Sequence, residues 1–156
     1  MDRTSLIAEI MTVIYAAFQL GIELNRRKLA TVLVLVKYLL GEREISESLE
    51  ILRIYNDGLE SASINNAIGL LIDMGDLREK PNGNLVLTER GKLVMSHVLS
   101  SKKRIKMWKV ARAILKYNTK SLVSFAVYVL LSEDSREENE NALSKCIIRE
   151  YDEVPI

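Results

Sequence analysis

The chain has 156 residues and a mass of 17.7 kDa, with 48% hydrophobic and 28% charged residues, the make-up of one ordinary globular domain. Its 22 basic and 21 acidic side chains nearly cancel, which excludes both a uniformly basic nucleic-acid binder and an acidic disordered chain. The single cysteine, Cys146, excludes an internal disulfide framework and a multi-cysteine zinc site, and it fits a reducing, cytoplasmic setting.

Leu6, Ile7, Ile10, Met11, Ile14, Ala17 and Phe18 recur at three- and four-residue spacing and predict a helix over residues 5 to 20 whose apolar stripe needs a partner. A second helix is expected from Arg27 to Leu40, opened by the basic triplet Arg26, Arg27 and Lys28, apolar almost all round and ended by Gly41. Ser46 is a good N-cap for a shorter helix carrying Leu49, Leu52 and Tyr55, stopping at Asn56-Asp57-Gly58. The next helix starts near Ser61 and buries Ile64, Ala67, Ile68, Leu71 and Ile72, with Gly75 in the left-handed position that closes it.

Leu77–Lys80 and Leu85–Thr88 are extended segments around Pro81-Asn82-Gly83-Asn84, and Asn-Gly between apolar runs is a strong hairpin signal. Thr88 can cap a helix running through Val94, Met95 and Val98 to Ser101. From Lys102 to Asn118 a further helix gathers Lys102, Lys106, Lys109, Arg112 and Lys116 on one side, with Met107, Trp108, Ala111, Ile114 and Leu115 opposite. Leu122–Leu131 reads as a buried helix or strand, and Ser135–Ile148 as a surface helix with an acidic start.

No apolar run reaches the ~18 uncharged residues of a membrane span, and the N-terminus carries Asp2 and Glu9 around its apolar residues and lacks a small-residue cleavage site, so neither a membrane nor a signal peptide is expected. Charge is strongly blocked along the chain: +2 over residues 1 to 40, −6 over 41 to 77, +10 over 78 to 120 and −5 over 121 to 156. A basic middle of that kind attracts phosphate or an acidic protein face, unless the acidic flanks of the same chain neutralise it. Residues 133 to 140, with Glu133, Asp134, Glu137, Glu138 and Glu140, are the candidates for such a folded-back brake.

The run Ser61-Ala62-Ser63-Ile64-Asn65-Asn66-Ala67-Ile68, followed by Leu71, Met74, Gly75 and Leu77, is similar to a recognition helix and its exit into a wing. Leu87-Thr88-Glu89-Arg90-Gly91 is similar to the return from that wing into the next helix. With the order of elements over residues 27 to 101, these segments resemble the winged helix-turn-helix family across about half the chain, and the long flanking helices resemble those that build the dimer in MarR-like and PadR-like regulators. The fold class implied is mainly α with a small β-hairpin. An N-terminal helix over 1–24, for dimerisation or packing, precedes a winged helix-turn-helix domain over 25–101. A C-terminal helical extension over 102–156 follows, with a basic helix and an acidic tail.

The resemblance assigns base reading to Ser61, Ser63, Asn65 and Asn66, and asparagine can pair bidentately with adenine. It assigns wing contacts to Arg78, Lys80 and Asn82, and phosphate contacts to Lys102, Lys106, Lys109, Arg112 and Lys116. The function implied is a homodimeric, sequence-selective regulator on double-stranded DNA. One departure stands out: residues 61 to 74 hold no lysine or arginine and have Asp57, Glu60, Asp73 and Asp76 as neighbours. That departure supports the alternative, a winged-helix protein-interaction subunit of a transcription or replication assembly with an acidic partner. Catalysis, a metal and a cofactor are not expected. His97 stands alone, Cys146 between Lys145 and Arg149 reads as a structural thiol, and Glu42, Glu44, Glu47 and Glu50 read as a solvated face. Trp108 lies opposite the lysines and is expected in the core.

Overall fold

The apolar stripe of the first helix finds its partners inside the chain. In the computed structural model, which describes residues 3–133, α1 (Arg3–Leu20) buries Leu6, Ile10, Met11, Val13, Ile14, Ala16 and Ala17. α2 (Arg26–Leu39) follows, its first turn capped by Asn25, whose Oδ1 accepts from the Lys28 amide at 2.8 Å. Every residue from Leu29 to Lys37 is buried, because α2 is covered on several sides and a one-sided stripe would not suffice. Lys37 is wholly buried, and its Nζ pairs with Glu9 of α1 at 3.1 Å and with Glu42 at 3.0 Å. A buried cation is tolerable only with such partners, so this pair also fixes α1 against α2.

The segment after α2 departs from the expected helix. α3 (Ile45–Ser48) is a single turn, and the chain then forms β1 (Ile51–Tyr55) and β2 (Gly58–Ser61), an antiparallel hairpin pairing Tyr55 with Gly58 and Ile54 with Leu59. Ile51, Ile54 and Tyr55 are β-branched or aromatic, and Asn56-Asp57 is a two-residue turn, so strand propensity and turn chemistry outweigh the weak helical spacing. Leu52 is the extra residue of a bulge, since Ile51 faces Ser61 and Arg53 faces Glu60. Gly58 has φ +149° and lies so close to Arg27 of α2 that a Cβ would sit 2.5 Å from the Arg27 carbonyl oxygen. The Leu59 amide donates to the Thr31 Oγ1 at 3.1 Å, and β2 thereby packs on α2.

α4 (Ala62–Asp73) starts at Ser61, whose Oγ accepts from the Ile64 amide at 3.1 Å. It buries Ile64, Ala67, Ile68 and Leu71 and leaves through Gly75 at φ +83°. β3 (Leu77–Glu79) and β4 (Leu85–Leu87) form the second hairpin, in register from Leu77 opposite Leu87 to Glu79 opposite Leu85. The Leu85 amide also donates to the Leu24 carbonyl at 2.7 Å, which ties β4 to the α1–α2 connection and makes α1 part of the same unit. α5 (Glu89–Val98) is capped by Thr88, and at Gly91 a Cβ would lie 2.2 Å from the Asp76 carbonyl oxygen, so only glycine lets the helix approach the hairpin base this closely.

α6 (Lys102–Ile114) packs on α1 and α2. α7 (Thr119–Leu131) resolves the Leu122–Leu131 ambiguity as helix and packs on α2 and β2. Glu133 then accepts from the amides of Ile45 and Ser46 at 3.0 and 3.1 Å, supplying the cap that α3 lacks. The described chain is thus mainly helical with two small hairpins where one was expected, and it contains no helix long and apolar enough to cross a membrane. The helix expected over 135–148, and all but Glu133 of the acidic 133–140 segment, lie outside the described residues.

Candidate nucleic-acid interface

Helix α4 and the second hairpin are held in one fixed relation by Arg26. Its guanidinium donates to both carboxylate oxygens of Glu79 on β3, at 2.9 and 3.2 Å, and to the Asn65 carbonyl of α4 at 3.4 Å. The guanidinium holds the Glu79 carboxyl below the usual carboxylate range. Arg26 belongs to the basic triplet opening α2, and its partners on α4 and β3 are distant in sequence, so no local spacing marks it as the residue that orients one against the other.

Not all of the expected α4 set is presented to solvent. Ser61 is buried, and its hydroxyl donates to the Leu49 carbonyl while capping α4, so it has no surface from which to read a base. Ser63 is half-buried and donates to the Glu50 carboxylate at 2.5 Å. Asn65 is half-buried and Asn66 fully exposed. Asp73 and Glu50 are exposed beside them, so the outward side of this helix is polar and acidic. On the hairpin, Arg78 is exposed, and no ion pair involves it among the described residues. Asn82 is exposed, with its Oδ1 accepting from the Asn84 amide at 3.0 Å. Lys80 is half-buried and pairs with Glu23 at 3.4 Å, which reduces its charge toward an incoming phosphate.

The basic helix divides in the same way. Lys102, Lys106 and Lys116 are exposed, and so is Lys103, which the wheel of the sequence left out. Lys109 is half-buried. Arg112 is also half-buried; it donates to the Gln19 side-chain oxygen at 3.1 Å and lies 4.9 Å over the Trp108 ring. Trp108 is buried and donates to the same Gln19 oxygen at 2.7 Å, so the Arg112–Trp108 pair fastens α6 to α1 and offers no free cation. α4 and α6 both pack on α1, so the polar set of α4 and the basic set of α6 are carried by two elements of the same unit. His97 is exposed on α5, and no group of three or more histidine, cysteine, aspartate or glutamate side chains is placed to hold a metal among the described residues.

No family model, curated protein or solved structure matches the chain. The functional reading therefore rests on this geometry.

Proposed function

We propose that the chain is a non-catalytic, duplex-DNA-binding regulator of winged-helix build, in which β1 and β2 are inserted ahead of the recognition helix. The observation that carries this reading is the unit formed by α4 and the β3–β4 hairpin. Asn66 is exposed on the helix, Arg78 and Asn82 are exposed on the hairpin, and Arg26 locks the two together. In this reading Asn66, helped by Ser63 and Asn65, meets base edges, while Arg78 and Asn82 meet the backbone. Lys102, Lys103 and Lys106 form a separate phosphate-attracting face on α6, used where the duplex bends around the molecule or where a second duplex segment is held.

Binding of the purified chain to a pool of random duplexes at two salt concentrations, with sequencing of the retained fraction, tests the proposal. Salt-sensitive retention with enrichment of one motif is the expected result. Replacing Lys102 and Lys106 by glutamate should weaken binding to every sequence and lower the salt slope by about two, whereas Asn66→Ala should change the preferred sequence. No retention at either salt overturns the reading. It would leave the second one, a protein-interaction subunit, which the acidic outward side of α4 favours because Glu50 and Asp73 oppose close approach to phosphates.

A further inference from the structure

We infer that the cleft between the end of α1 and β4 binds a small neutral molecule with an apolar body and one carbonyl group. The cleft has a volume of about 290 Å³, roughly twice the ~150 Å³ apolar cavity that accepts a benzene, so it holds one ring with a short substituent. Its walls are Ala17 and Phe18 of α1, Ile22 and Leu24 of the connection into α2, and Leu85 and Leu87 of β4. Phe18 is 51% exposed and forms the rim, its ring stacked on Tyr15 and covered by the Lys92 ammonium at 4.6 Å from the centroid. The body of the ligand is therefore met by apolar side chains and by one aromatic ring.

The backbone of β4 supplies the polar side of the site. The Lys80 amide donates to the Asn84 carbonyl at 2.9 Å and the Thr88 amide to the Asp76 carbonyl at 3.2 Å, which fixes the phase of the β3–β4 ladder. By alternation Val86 turns its backbone groups toward β3, while Leu85 and Leu87 turn theirs to the opposite edge, toward the α1–α2 connection. Leu85 gives its amide to the Leu24 carbonyl at 2.7 Å. Pairing on that edge ends there: Leu24–Leu85 is an isolated bridge, and the Ile22 amide is already donated back to the Ala17 carbonyl at 2.9 Å. Among the described residues no strand lies opposite Leu87, whose amide faces the cleft although the residue is only 4% exposed. A buried backbone donor calls for an acceptor, and a carbonyl on the ligand is that acceptor.

The mouth selects against an ion. Glu23, the charged member of the lining, accepts from the Asn84 side-chain amide at 2.7 Å and pairs with Lys80 at 3.4 Å. Lys92, above Phe18, pairs with Glu89 at 3.2 Å. These charges already have counter-charges, so an ionic ligand would shed its water without gaining a partner, whereas a neutral one avoids that cost.

An occupant would join α1 to the hairpin that carries Arg78 and Asn82, yet its detection requires no duplex, so this inference and the proposed function fail separately. The isotope-labelled full chain is titrated with acetophenone, ethylbenzene and benzoate while its amide resonances are followed. Acetophenone should bind with a Kd of about 1 mM and move the Leu87 amide proton downfield, with smaller shifts at Ala17, Phe18 and Ile22. Ethylbenzene has a methylene where acetophenone has its carbonyl and leaves water more readily, so a merely apolar cleft would prefer it. Here it should bind about tenfold more weakly, and so should benzoate. Ala17→Leu should fill the cleft and abolish acetophenone binding, and Ile22→Phe serves the same end from the connection should the helix substitution unfold the chain. Absence of shifts at about 10 mM acetophenone, ethylbenzene or benzoate binding as tightly, shifts centred outside these residues, or a folded variant that binds like the parent overturns the inference.

Discussion

The two hairpins are anchored by neighbouring residues of the same helix, yet in opposite ways. Arg26 holds β3–β4 by a fork onto the Glu79 carboxylate, an exposed contact at the hairpin's edge. Arg27 holds β1–β2 by its backbone as much as by its side chain. The Gly58 Cα presses on the Arg27 main chain, while the guanidinium pairs with Asp57 at 3.0 Å and lies 3.6 Å over the Tyr55 ring. Each hairpin buries one strand, β2 on α2 and β4 on α1, but the turn of the first is seated on helix backbone through Gly58, whereas the turn of the second projects, with nothing within 4 Å of a Cβ at Gly83. Rigid packing suits a scaffold, whereas a projecting ribbon with exposed Arg78 and Asn82 suits an element that meets a partner.

The sharpest way to break this comparison is to add one methyl group to the glycine of each hairpin. At Gly58 the new Cβ would meet Arg27 backbone at 2.5 Å, from a backbone conformation that L side chains rarely adopt. Gly58→Ala should cost about 3 kcal/mol by combining overpacking with strain. At Gly83 the backbone is also left-handed, φ +89°, but a Cβ there would have nothing within 4 Å, so Gly83→Ala should cost only about 1 kcal/mol. Urea unfolding of the two variants against the parent measures both. Equal losses would mean that β1–β2 is no more deeply embedded than β3–β4.

The difference between the hairpins is also the difference between what the sequence discloses and what it hides. Asn82-Gly83 sits between short apolar runs, Gly75 closes the preceding helix and Thr88 opens the next, so every local signal around β3–β4 agrees. Around β1–β2 the signals conflict. Ser46 is a plausible cap, and Leu49, Leu52 and Tyr55 fit a helical spacing, while the strand-forming side chains and the Asn56-Asp57 turn argue the other way. The conflict is resolved by a tertiary fact, the seat that Thr31 and the Arg27 backbone provide for Leu59 and Gly58, and no local rule contains it. The candidate site was legible to a similar extent. Helical spacing gave exposed Asn66, Lys102 and Lys106 directly. The burial of Ser61 and the capture of Arg112 by Gln19 and Trp108 depend on partners at distances of 12 and 93 residues.

A smaller effect separates the side-chain halves of the two anchors. Arg27→Ala removes an exposed ion pair and a cation–π contact, which together are worth about 1 kcal/mol. The Gly58 seat on the backbone survives that substitution. Amide exchange of the Arg27→Ala variant should therefore show β1–β2 still protected, with the loss of stability spread over the whole transition. Selective opening of residues 51–61 would show that the guanidinium, not the backbone, holds the hairpin.

The smallest expected effect concerns pH and belongs to the second hairpin alone. The Arg26 guanidinium lowers the Glu79 carboxyl from its ordinary range chiefly by hydrogen bonding, against an opposing effect of burial and with a smaller addition from its charge. A carboxyl whose folded value is depressed adds stability above its unfolded value, and that contribution is lost as pH falls through the folded value. The pair is only part-shielded from water, so it contributes about 0.5 kcal/mol at neutral pH. Glu79→Gln should therefore be slightly less stable than the parent at pH 7 and should match it once the pH is well below the ordinary carboxylate range. Because Arg26 also reaches the Asn65 carbonyl, protonating Glu79 frees β3 from the arginine while α4 keeps it, and the ribbon should loosen before the helix does. Amide exchange of residues 77–87 against 62–73 across that pH interval reads the order directly, and simultaneous opening of both would mean that the ribbon is held by the Leu24–Leu85 bond and not by Arg26.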